Sequence, residues 1–224
     1  MNEILLIVEI VLMFSSILIL KRLFCKEGLF LWIGLASVLA NIQVVKGVDM
    51  FGFTSAAGNV LFASVFLATD LLRECYGKEA ARKGVYIGIS SVVVYLICTQ
   101  LTLLYVPNSI DISQSAMQTL FSFSGRVCIA SLLMYAVANL VDVFIYDKMY
   151  TACKGKHMWL RNNVATIVCN SFENFGFAFL AFAGVYPIGD ILLIAISGCA
   201  IEIGIALCDT PFLYWGKKLT DKNW

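Results

Sequence analysis

Residues 164–184 read VATIVCNSFENFGFAFLAFAG, a run in which Glu173 is the single charged side chain. A helix that crosses a bilayer needs roughly 20 predominantly apolar residues, so this run is long enough to span a membrane. The whole chain has the same character, because 60% of its 224 residues are hydrophobic and 14% are charged. Soluble domains are about 45–50% apolar and about 25% charged. The sequence therefore predicts an integral membrane protein.

The charge balance excludes several classes of function. Lys and Arg together number 16 and Asp and Glu number 15, which gives a formal net charge of +1. Such a chain has no basic surplus with which to hold a nucleic-acid backbone. The high hydrophobic content excludes a cytosolic enzyme and a disordered scaffold. The lipid bilayer is therefore the expected partner, and nucleic acid is not.

Seven apolar stretches of suitable length follow one another along the chain. Their approximate bounds are 4–20, 29–46, 58–72, 84–106, 125–146, 164–184 and 191–213. The first stretch lacks the basic start and the cleavage site of a secretory signal, so we expect it to be retained as a helix. We therefore expect an all-α fold, a polytopic membrane helix bundle with seven spans in a single domain over residues 1–224.

An unusual segment precedes the short third span. Residues 47–58 read GVDMFGFTSAAG and are rich in Gly, Ala and hydroxyl side chains. Irregular backbone at membrane depth is tolerated only where protein covers it. This composition therefore favours a re-entrant turn that packs inside the bundle.

The basic residues are distributed unevenly over the connecting loops, and this bias predicts the orientation. Alternate loops hold all but two of the 16 Lys and Arg residues, and the intervening loops, 47–57, 107–124 and 185–190, contain none. Basic loops stay on the cytoplasmic side. We therefore predict the amino terminus outside and the carboxyl terminus inside. The two remaining cations, Lys46 and Arg126, lie at the outer ends of spans.

Polar side chains form one stripe on each of two predicted spans. The stripes contain Tyr135, Asn139, Asp142 and Tyr146 on the fifth span, and Asn163, Thr166, Asn170, Glu173 and Phe177 on the sixth. Members of a stripe are three or four residues apart, so they share one helix face. Two such stripes at matching depth predict a polar cavity at mid-membrane. The alternative is that Asn139 and Asn170 only bond across a helix interface.

The chemistry of these side chains suits a planar, uncharged heterocycle with an amide edge. Carboxylates accept hydrogen bonds from N–H groups, carboxamides donate and accept in one plane, and aromatic rings offer stacking faces. One carboxylate matches the adjacent ring N–H and amino donors of a guanine-like edge, and Glu173 is the first candidate. Phosphorylated ligands are disfavoured, because the membrane interior has one Arg and no cationic cluster.

The predicted site residues fall into two groups. Those expected to contact the ligand are Asn41, Arg126, Tyr135, Asn139, Asn170 and Glu173. Those expected at the gate or the exit are Asp70, Asp142 and Glu202. Arg126 also has the position to gate the outer mouth. As an alternative, Asp70 and Asp142 have a structural role and pair with Arg73 and Lys148 at helix ends.

Glu173 and Glu202 each lie near the centre of their span, and therefore at one depth in the membrane. Like charges that approach each other raise the pKa of one partner. If their helices are neighbours, the two carboxyls would share a proton, which would permit proton-coupled transport.

Motifs for catalysis are absent from the sequence. The chain has no H-E-x-x-H, no G-x-S-x-G and no P-loop, and its one histidine, His157, lies in a basic loop. The eight cysteines show no C-x-x-C spacing, so neither a zinc site nor a disulfide framework is indicated. We therefore expect a protein that is not an enzyme and that uses no cofactor or metal.

Residues 66–82, FLATDLLRECYGKEAAR, resemble the characteristic block of the YhhQ family, also called the vitamin-uptake-like or queuosine precursor transporter family. In that block a span ending in T-D-L is followed by an acidic residue, Y-G and A-R. Three further blocks resemble the same family in the same order: RVCIASLLMYAVANLVDVFIYDK (126–148), NVATIVCNSFENFGFAFLAF (163–182) and DTPFLY (209–214). Together the matching blocks extend from about Asn41 to Tyr214.

The resemblance implies a six-helix importer of 7-deazaguanine compounds in the bacterial cytoplasmic membrane. Such compounds include 7-cyano-7-deazaguanine, its aminomethyl derivative and queuine, which feed the synthesis of queuosine in tRNA. Asp70, Arg126 and Asp142 match the family pattern directly. The resemblance also implies a family core over residues 29–216, so that residues 1–28 form an additional amino-terminal helix.

Other interpretations stay open at this point. One is the substrate-binding subunit of an energy-coupling-factor transporter, a small six-helix protein that docks on a membrane scaffold with separate ATPases. An intramembrane enzyme or assembly factor is another, and the sequence offers no catalytic pair for it. The sequence also leaves open the preferred precursor, the coupling ion and whether two copies form a homodimer.

Overall fold

The computed structural model describes residues 1–121 and 125–219. The described chain forms the helices α1 (Asn2–Gln43), α2 (Asn59–Tyr76), α3 (Lys78–Leu104), α4 (Gln114–Phe121), α5 (Gly125–Ala152), α6 (Met158–Phe182), α7 (Ile188–Leu207) and α8 (Thr210–Lys218). It also forms the strands β1 (Gly47–Met50) and β2 (Phe53–Ala56). The predicted helical bundle is confirmed, with a small two-stranded sheet that the prediction lacked.

The helix α1 consists of two helical halves, because its backbone reverses near Cys25. This residue has φ 53° and ψ −130°, and a Cβ atom on Gly28 would lie 2.2 Å from the Leu20 carbonyl oxygen. On a straight helix, residues this far apart in sequence are separated by about 12 Å along the axis. The two halves therefore fold back on each other. They contain the predicted stretch 4–20 and residues 29–43 of the predicted stretch 29–46.

The segment after α1 forms an antiparallel β-hairpin, which corrects the expected re-entrant turn. β1 and β2 pair along their whole length, and Phe51 and Gly52 form the connecting turn with positive φ at both residues. Turns of this type match the twist of the strands that they join. Asn2 Nδ2 donates a 2.9 Å hydrogen bond to the Asp49 carbonyl, so both ends of α1 lie beside the hairpin.

The other five predicted stretches each coincide with a helix, with bounds that differ by several residues. In chain order they lie on α2, α3, α5, α6, and on α7 together with the start of α8. α2 ends at Tyr76, and the next residue, Gly77, has a φ of 88° that glycine readily adopts. Pro211 lies in the first turn of α8, where its missing N–H removes no helical hydrogen bond.

Five helical segments of the described chain are long and apolar enough to cross a membrane. They are Asn2–Gln43, Lys78–Leu104, Ile129–Ala152, Met158–Phe182 and Ile188–Lys218. α2 is the central helix of the bundle instead, because its residues from Asn59 to Leu72, with the exception of Phe62, are all buried. A helix that is covered on all sides can carry polar residues on faces that meet other helices. The fold is therefore a polytopic helical bundle around α2.

The first half of α1 is packed into this bundle. Phe14 and Ile17 are fully buried, and the Phe14 ring meets Phe212 of α8 edge to face at 5.3 Å. Lys21 Nζ donates a 3.0 Å hydrogen bond to the Leu219 carbonyl. The amino-terminal helix is therefore an integral part of the hydrophobic core.

Candidate functional site

A cavity of about 690 Å³ lies at the end of the bundle that carries the β-hairpin. Its walls come from the hairpin, the start of α2, and α5, α6 and α7. Glu173, Asp190 and Glu202 line it, and none of the described lining residues is Lys, Arg or His. The other polar or aromatic lining residues are Phe53, Ser55, Asn59, Phe62, Ser131, Asn174, Phe177 and Ser197. Pockets for small molecules occupy about 300–1,000 Å³, so the cavity has room for one heterocyclic ligand.

One face of α7 forms a wall of this cavity. Asp190, Ile194, Gly198 and Glu202 all line it, and each is four residues from the next, a spacing that places them on one helix face. Asp190 is exposed and lies in the first turn of α7, at the mouth. Glu202 lies about 18 Å further along the helix axis, at the inner end of the cavity.

α6 faces this wall and contacts it through a polar pair. Asn174 Nδ2 donates a 2.6 Å hydrogen bond to Glu202 Oε2 and a 2.9 Å hydrogen bond to the Asn170 carbonyl. The carboxyl of Glu173 lies within electrostatic range of Glu202. The structure therefore brings together the two carboxylates that the sequence placed at one depth.

Tyr135 and Asn139 lie outside the cavity, although the sequence placed them in the ligand site. The Tyr135 hydroxyl is 2.6 Å from Ser37 Oγ in a buried contact between α5 and α1. Asn139 Nδ2 donates a 2.8 Å hydrogen bond to the Tyr135 carbonyl. A Cβ atom on Gly88 would lie 2.3 Å from the Tyr135 hydroxyl, so this glycine lets α3 approach closely.

The buried side-chain oxygens of Asn139 and Asn170 accept no hydrogen bond from the described chain. Both residues are 1% exposed. Buried polar atoms normally have a partner, and an exception calls for an explanation. The alternative predicts that these amides bond across a helix interface. Their oxygens give it no support, because they are unsatisfied acceptors on α5 and α6.

Asn41 and Arg126 also lie outside the cavity. Asn41 Nδ2 donates a 2.8 Å hydrogen bond to the Ser37 carbonyl of its own helix. Arg126 Nε donates a 2.7 Å hydrogen bond to the Leu180 carbonyl, so it ties the start of α5 to the end of α6. Both contacts satisfy side-chain donors within the protein.

Three buried carboxyls meet in the half of the bundle away from the hairpin. Asp70 of α2 lies within electrostatic range of Asp142 of α5 and of Asp209, which precedes α8. All three are at most 1% exposed. Among the described residues the Asp142 carboxyl meets no nitrogen or oxygen donor and has the weak Cys169 thiol donor of α6 as its neighbour, whereas Asn162 Nδ2 donates to Asp209 at 2.6 Å. Sequence reasoning noted Asp209 as an acid inside a span but did not place it in the site.

The alternative pairing of Asp70 and Asp142 with Arg73 and Lys148 is wrong. Arg73 forms an ion pair with Asp147, and the Lys148 ammonium lies 4.6 Å from the centroid of the Phe144 ring. Arg73 lies nearly one turn closer to the end of α2 than Asp70 does. It therefore reaches Asp147, which lies closer to the end of α5 than Asp142 does.

A buried ion pair between α2 and α6 lies at this same end. Glu74 and Arg161 form it with side chains that are 1% and 0% exposed. Glu74 also accepts a 2.5 Å hydrogen bond from Lys217 Nζ and a 3.0 Å bond from the Tyr146 hydroxyl. Sequence reasoning missed this cluster, although Glu74 is the acidic residue that follows T-D-L in the family-like block.

Among residues 1–121 and 125–219, no group of three or more His, Cys, Asp or Glu side chains is arranged to hold a metal ion. The carboxyls of Asp70, Asp142 and Asp209 therefore interact electrostatically but are not arranged to hold a metal ion. The arrangement as a whole is an acidic cavity at one end and a buried acidic cluster at the other.

Residues 56–216 match the family described as "Putative vitamin uptake transporter". This chain belongs to that vitamin uptake transporter family. A "Probable queuosine precursor transporter" of Bacillus subtilis (strain 168) is 41% identical over 207 residues, which cover 92% of this chain and 90% of the relative. The "Queuosine precursor transporter" of Escherichia coli (strain K12) is 26% identical over 160 residues, which cover 67% of each chain. No solved structure gives a significant match.

The family match covers the helices that form the cavity walls in this vitamin uptake transporter. It begins at the end of β2 and ends within α8, so it includes Glu173, Glu202 and the acidic cluster. Members of this family are transporters rather than enzymes. The chain is accordingly a multi-pass membrane transporter of the bacterial cytoplasmic membrane.

Proposed function

We propose that this transporter imports queuosine precursors, the 7-deazaguanines, for the synthesis of queuosine in tRNA. The similarity to proteins named as queuosine precursor transporters supports the choice of substrate. The observation that carries the proposal for the site is the cavity lined by Glu173 and Glu202, with no basic residue among its described lining residues.

The cavity suits the chemistry of a 7-deazaguanine. The ring N–H and the exocyclic amino group of the guanine edge are adjacent donors, and the Glu173 carboxylate is a two-oxygen acceptor without a hydrogen-bond donor among the described residues. Hydrogen bonds to a charged acceptor contribute about 1.5–3 kcal/mol each. Phe62 and Phe177 line the same space and offer faces on which a heterocycle can stack. Glu173 is thus the proposed reader of the guanine edge.

We place the amino terminus and the hairpin outside. The seven spans are then the two halves of α1, followed by α2, α3, α5, α6 and α7. The opposite end of the bundle carries Arg73, Lys78, Arg161 and Lys217, which supports a cytoplasmic location by the bias of basic residues. The cavity then opens outward. In a cysteine-free chain, Ser109→Cys is expected to react with an impermeant maleimide outside intact cells, and Lys156→Cys, at an exposed position of the α5–α6 loop, only after permeabilisation.

The ligand would leave the cavity along the buried polar side chains between α5 and α6. Asn170 lies almost one turn below Glu173, and Asn139 and Asp142 follow on the facing helix, ending near Asp70. Their unsatisfied oxygens support a path that polar groups of a ligand or water would complete. In this proposal Arg126 contributes by holding the outer ends of α5 and α6 together rather than by touching the ligand.

The proposal is tested by genetic rescue. Cells that cannot make queuosine precursors, and that lack their own importer, are given a 7-deazaguanine at low concentration. Expression of this chain is expected to restore queuosine in tRNA, and Glu173→Ala is expected to abolish the rescue at normal membrane abundance. Absence of rescue with the cyano compound, the aminomethyl compound and queuine would overturn the substrate assignment.

A second experiment separates this carrier from the substrate-binding subunit of an energy-coupling-factor system. The chain is purified alone and reconstituted in liposomes. A self-sufficient carrier transports the 7-deazaguanine into the lumen without ATPase partners, whereas an isolated binding subunit binds the ligand and does not transport it.

A further inference from the structure

The acidic side chains of the cavity are more numerous than the guanine edge of a ligand can pair with. Three carboxyls, Glu173, Asp190 and Glu202, line it, and the described lining residues include no base to neutralise them. A guanine edge engages one carboxylate. Carboxylates that are enclosed with a ligand and left without an opposite charge are unfavourable. With a wholly neutral ligand Glu173 and Glu202 would therefore share a proton, whereas a cationic ligand lets both carboxyls ionise.

When a guanine edge binds Glu173, Glu202 is left without a partner from the ligand. Asn174 holds it through Oε2 at 2.6 Å, and no described residue donates a hydrogen bond to its other oxygen. Asp190 differs, because it is exposed at the mouth and lies in the first turn of α7, where solvent and the helix dipole stabilise a negative charge. Glu202 therefore has a fixed orientation, a free acceptor and no cation.

Building on the proposed function, we propose that the cavity selects 7-deazaguanines whose 7-substituent carries an ammonium group, and that Glu202 pairs with that group. An aliphatic amine resembles the lysine side chain, whose pKa is about 10.4, so it is charged at neutral pH. Its three N–H donors suit a carboxylate. A nitrile at the same position has no charge and no donor.

The two simplest ligands form a matched pair for this proposal. The aminomethyl and cyano groups have the same number of non-hydrogen atoms, and both ligands present the same guanine edge to Glu173. A difference in their affinities that disappears in Glu202→Gln therefore reports the pairing of the ammonium with Glu202. A charge-assisted hydrogen bond predicts at least about tenfold tighter binding of 7-aminomethyl-7-deazaguanine.

The test measures the Kd of both compounds at pH 7 for the purified full chain in lipid nanodiscs. Wild type is expected to favour the aminomethyl compound by at least about tenfold. Glu202→Gln keeps the shape of the side chain and the contact with Asn174, and it is expected to bring the ratio of the two Kd values close to one. Glu79→Gln, an exposed variant on α3 that lies outside the cavity, is expected to keep the wild-type ratio.

Several outcomes overturn the inference. Equal affinities in wild type overturn it without any variant, and the proposed function then still stands because both compounds bind. A Glu202→Gln chain that loses affinity for both compounds equally overturns the assignment to Glu202, as does an equal loss of preference in Glu79→Gln. If neither compound binds, the inference fails, and the proposed function fails with it only when queuine also gives no rescue.

Discussion

The side chain of Asn174 donates a 2.6 Å hydrogen bond to Glu202, and this bond joins α6 to α7 at the cavity wall. The contact requires glycine at position 198, because a Cβ atom there would lie 2.3 Å from Asn174 Oδ1. Heavy atoms that are not bonded do not approach so closely. The orientation of a charged lining residue thus depends on a glycine that contributes no polar atom of its own.

Gly198→Ala is expected to weaken ligand binding without removing any polar group. The new methyl group displaces Asn174, and Glu202 then loses the donor that holds it. Since hydrogen bonds to charged groups contribute about 1.5–3 kcal/mol, we expect the Kd for 7-aminomethyl-7-deazaguanine to rise by about tenfold or more. Isothermal titration with the purified chain measures this change.

The same helix supplies the control for this substitution. A Cβ atom on Gly204 of α7 would meet nothing within 4 Å, so Gly204→Ala is expected to bind the ligand like wild type. Similar Kd values for the two alanine variants would contradict a role for the Asn174 and Glu202 pair.

Glu173→Gln is expected to reduce uptake by at least about tenfold. The glutamine amide has one acceptor oxygen and turns an N–H₂ donor toward the donors of the guanine edge, so it loses one hydrogen bond and adds a repulsive contact. Queuosine in tRNA, measured over a series of precursor concentrations in the rescue strain, reports the loss. Glu79→Gln, in an exposed pair with Arg82, is the matched control. Rescue at wild-type concentrations by Glu173→Gln would place the guanine edge elsewhere.

The helices could be predicted from the sequence because apolar length alone reports a membrane span. The position of Glu173 and Glu202 at one depth also followed from their place within two apolar runs, and the cavity brings them together. The β-hairpin was missed because Gly, Ala and hydroxyl residues are compatible with several irregular backbones. The positive φ of Phe51 is not encoded by residue type.

The stripe argument was less successful for the site residues. Helical spacing correctly indicates that Tyr135, Asn139 and Asp142 share a face, and all are buried. It does not tell which neighbour covers that face, and here Ser37 of α1 meets Tyr135. Asn174 escaped notice because it follows Glu173 directly and lies beside the stripe. Which helices are neighbours depends on tertiary packing, which periodicity in one helix cannot report.

Arg161→Met is expected to lower the free energy of unfolding by about 1.5–3 kcal/mol, because it removes one buried charged partner of the Glu74 carboxylate. Both side chains are at most 1% exposed, and Lys217 is only a half-exposed second partner. Unfolding in mixed detergent micelles, followed by circular dichroism, measures the change.

The exposed pair on α3 provides the comparison for Arg161. Glu79 and Arg82 are 83% and 47% exposed, and exposed pairs contribute about 0–1 kcal/mol. Arg82→Met is therefore expected to leave stability nearly unchanged. An equally small effect of Arg161→Met would mean that Lys217 and Tyr146 alone satisfy Glu74.

Asp142→Asn is expected to separate stability from transport. Asp142 is fully buried, its carboxyl has only the weak Cys169 thiol as a donor within the described chain, and Asp70 lies within electrostatic range. A neutral amide of the same shape relieves both the burial of charge and the repulsion, so the free energy of unfolding should stay level or rise by on the order of 1 kcal/mol.

Transport by the same variant should fall by at least about tenfold, because an ionisable group inside a membrane bundle that weakens the fold is typically part of a transport pathway. Uptake of a 7-deazaguanine into liposomes and unfolding in detergent are measured on one preparation. Asp111→Asn, in an exposed loop where Asp111 accepts a 2.7 Å hydrogen bond from the Ser113 amide, is expected to leave uptake unchanged. Normal uptake by a stabilised Asp142→Asn chain would show that the acidic cluster lies off the pathway.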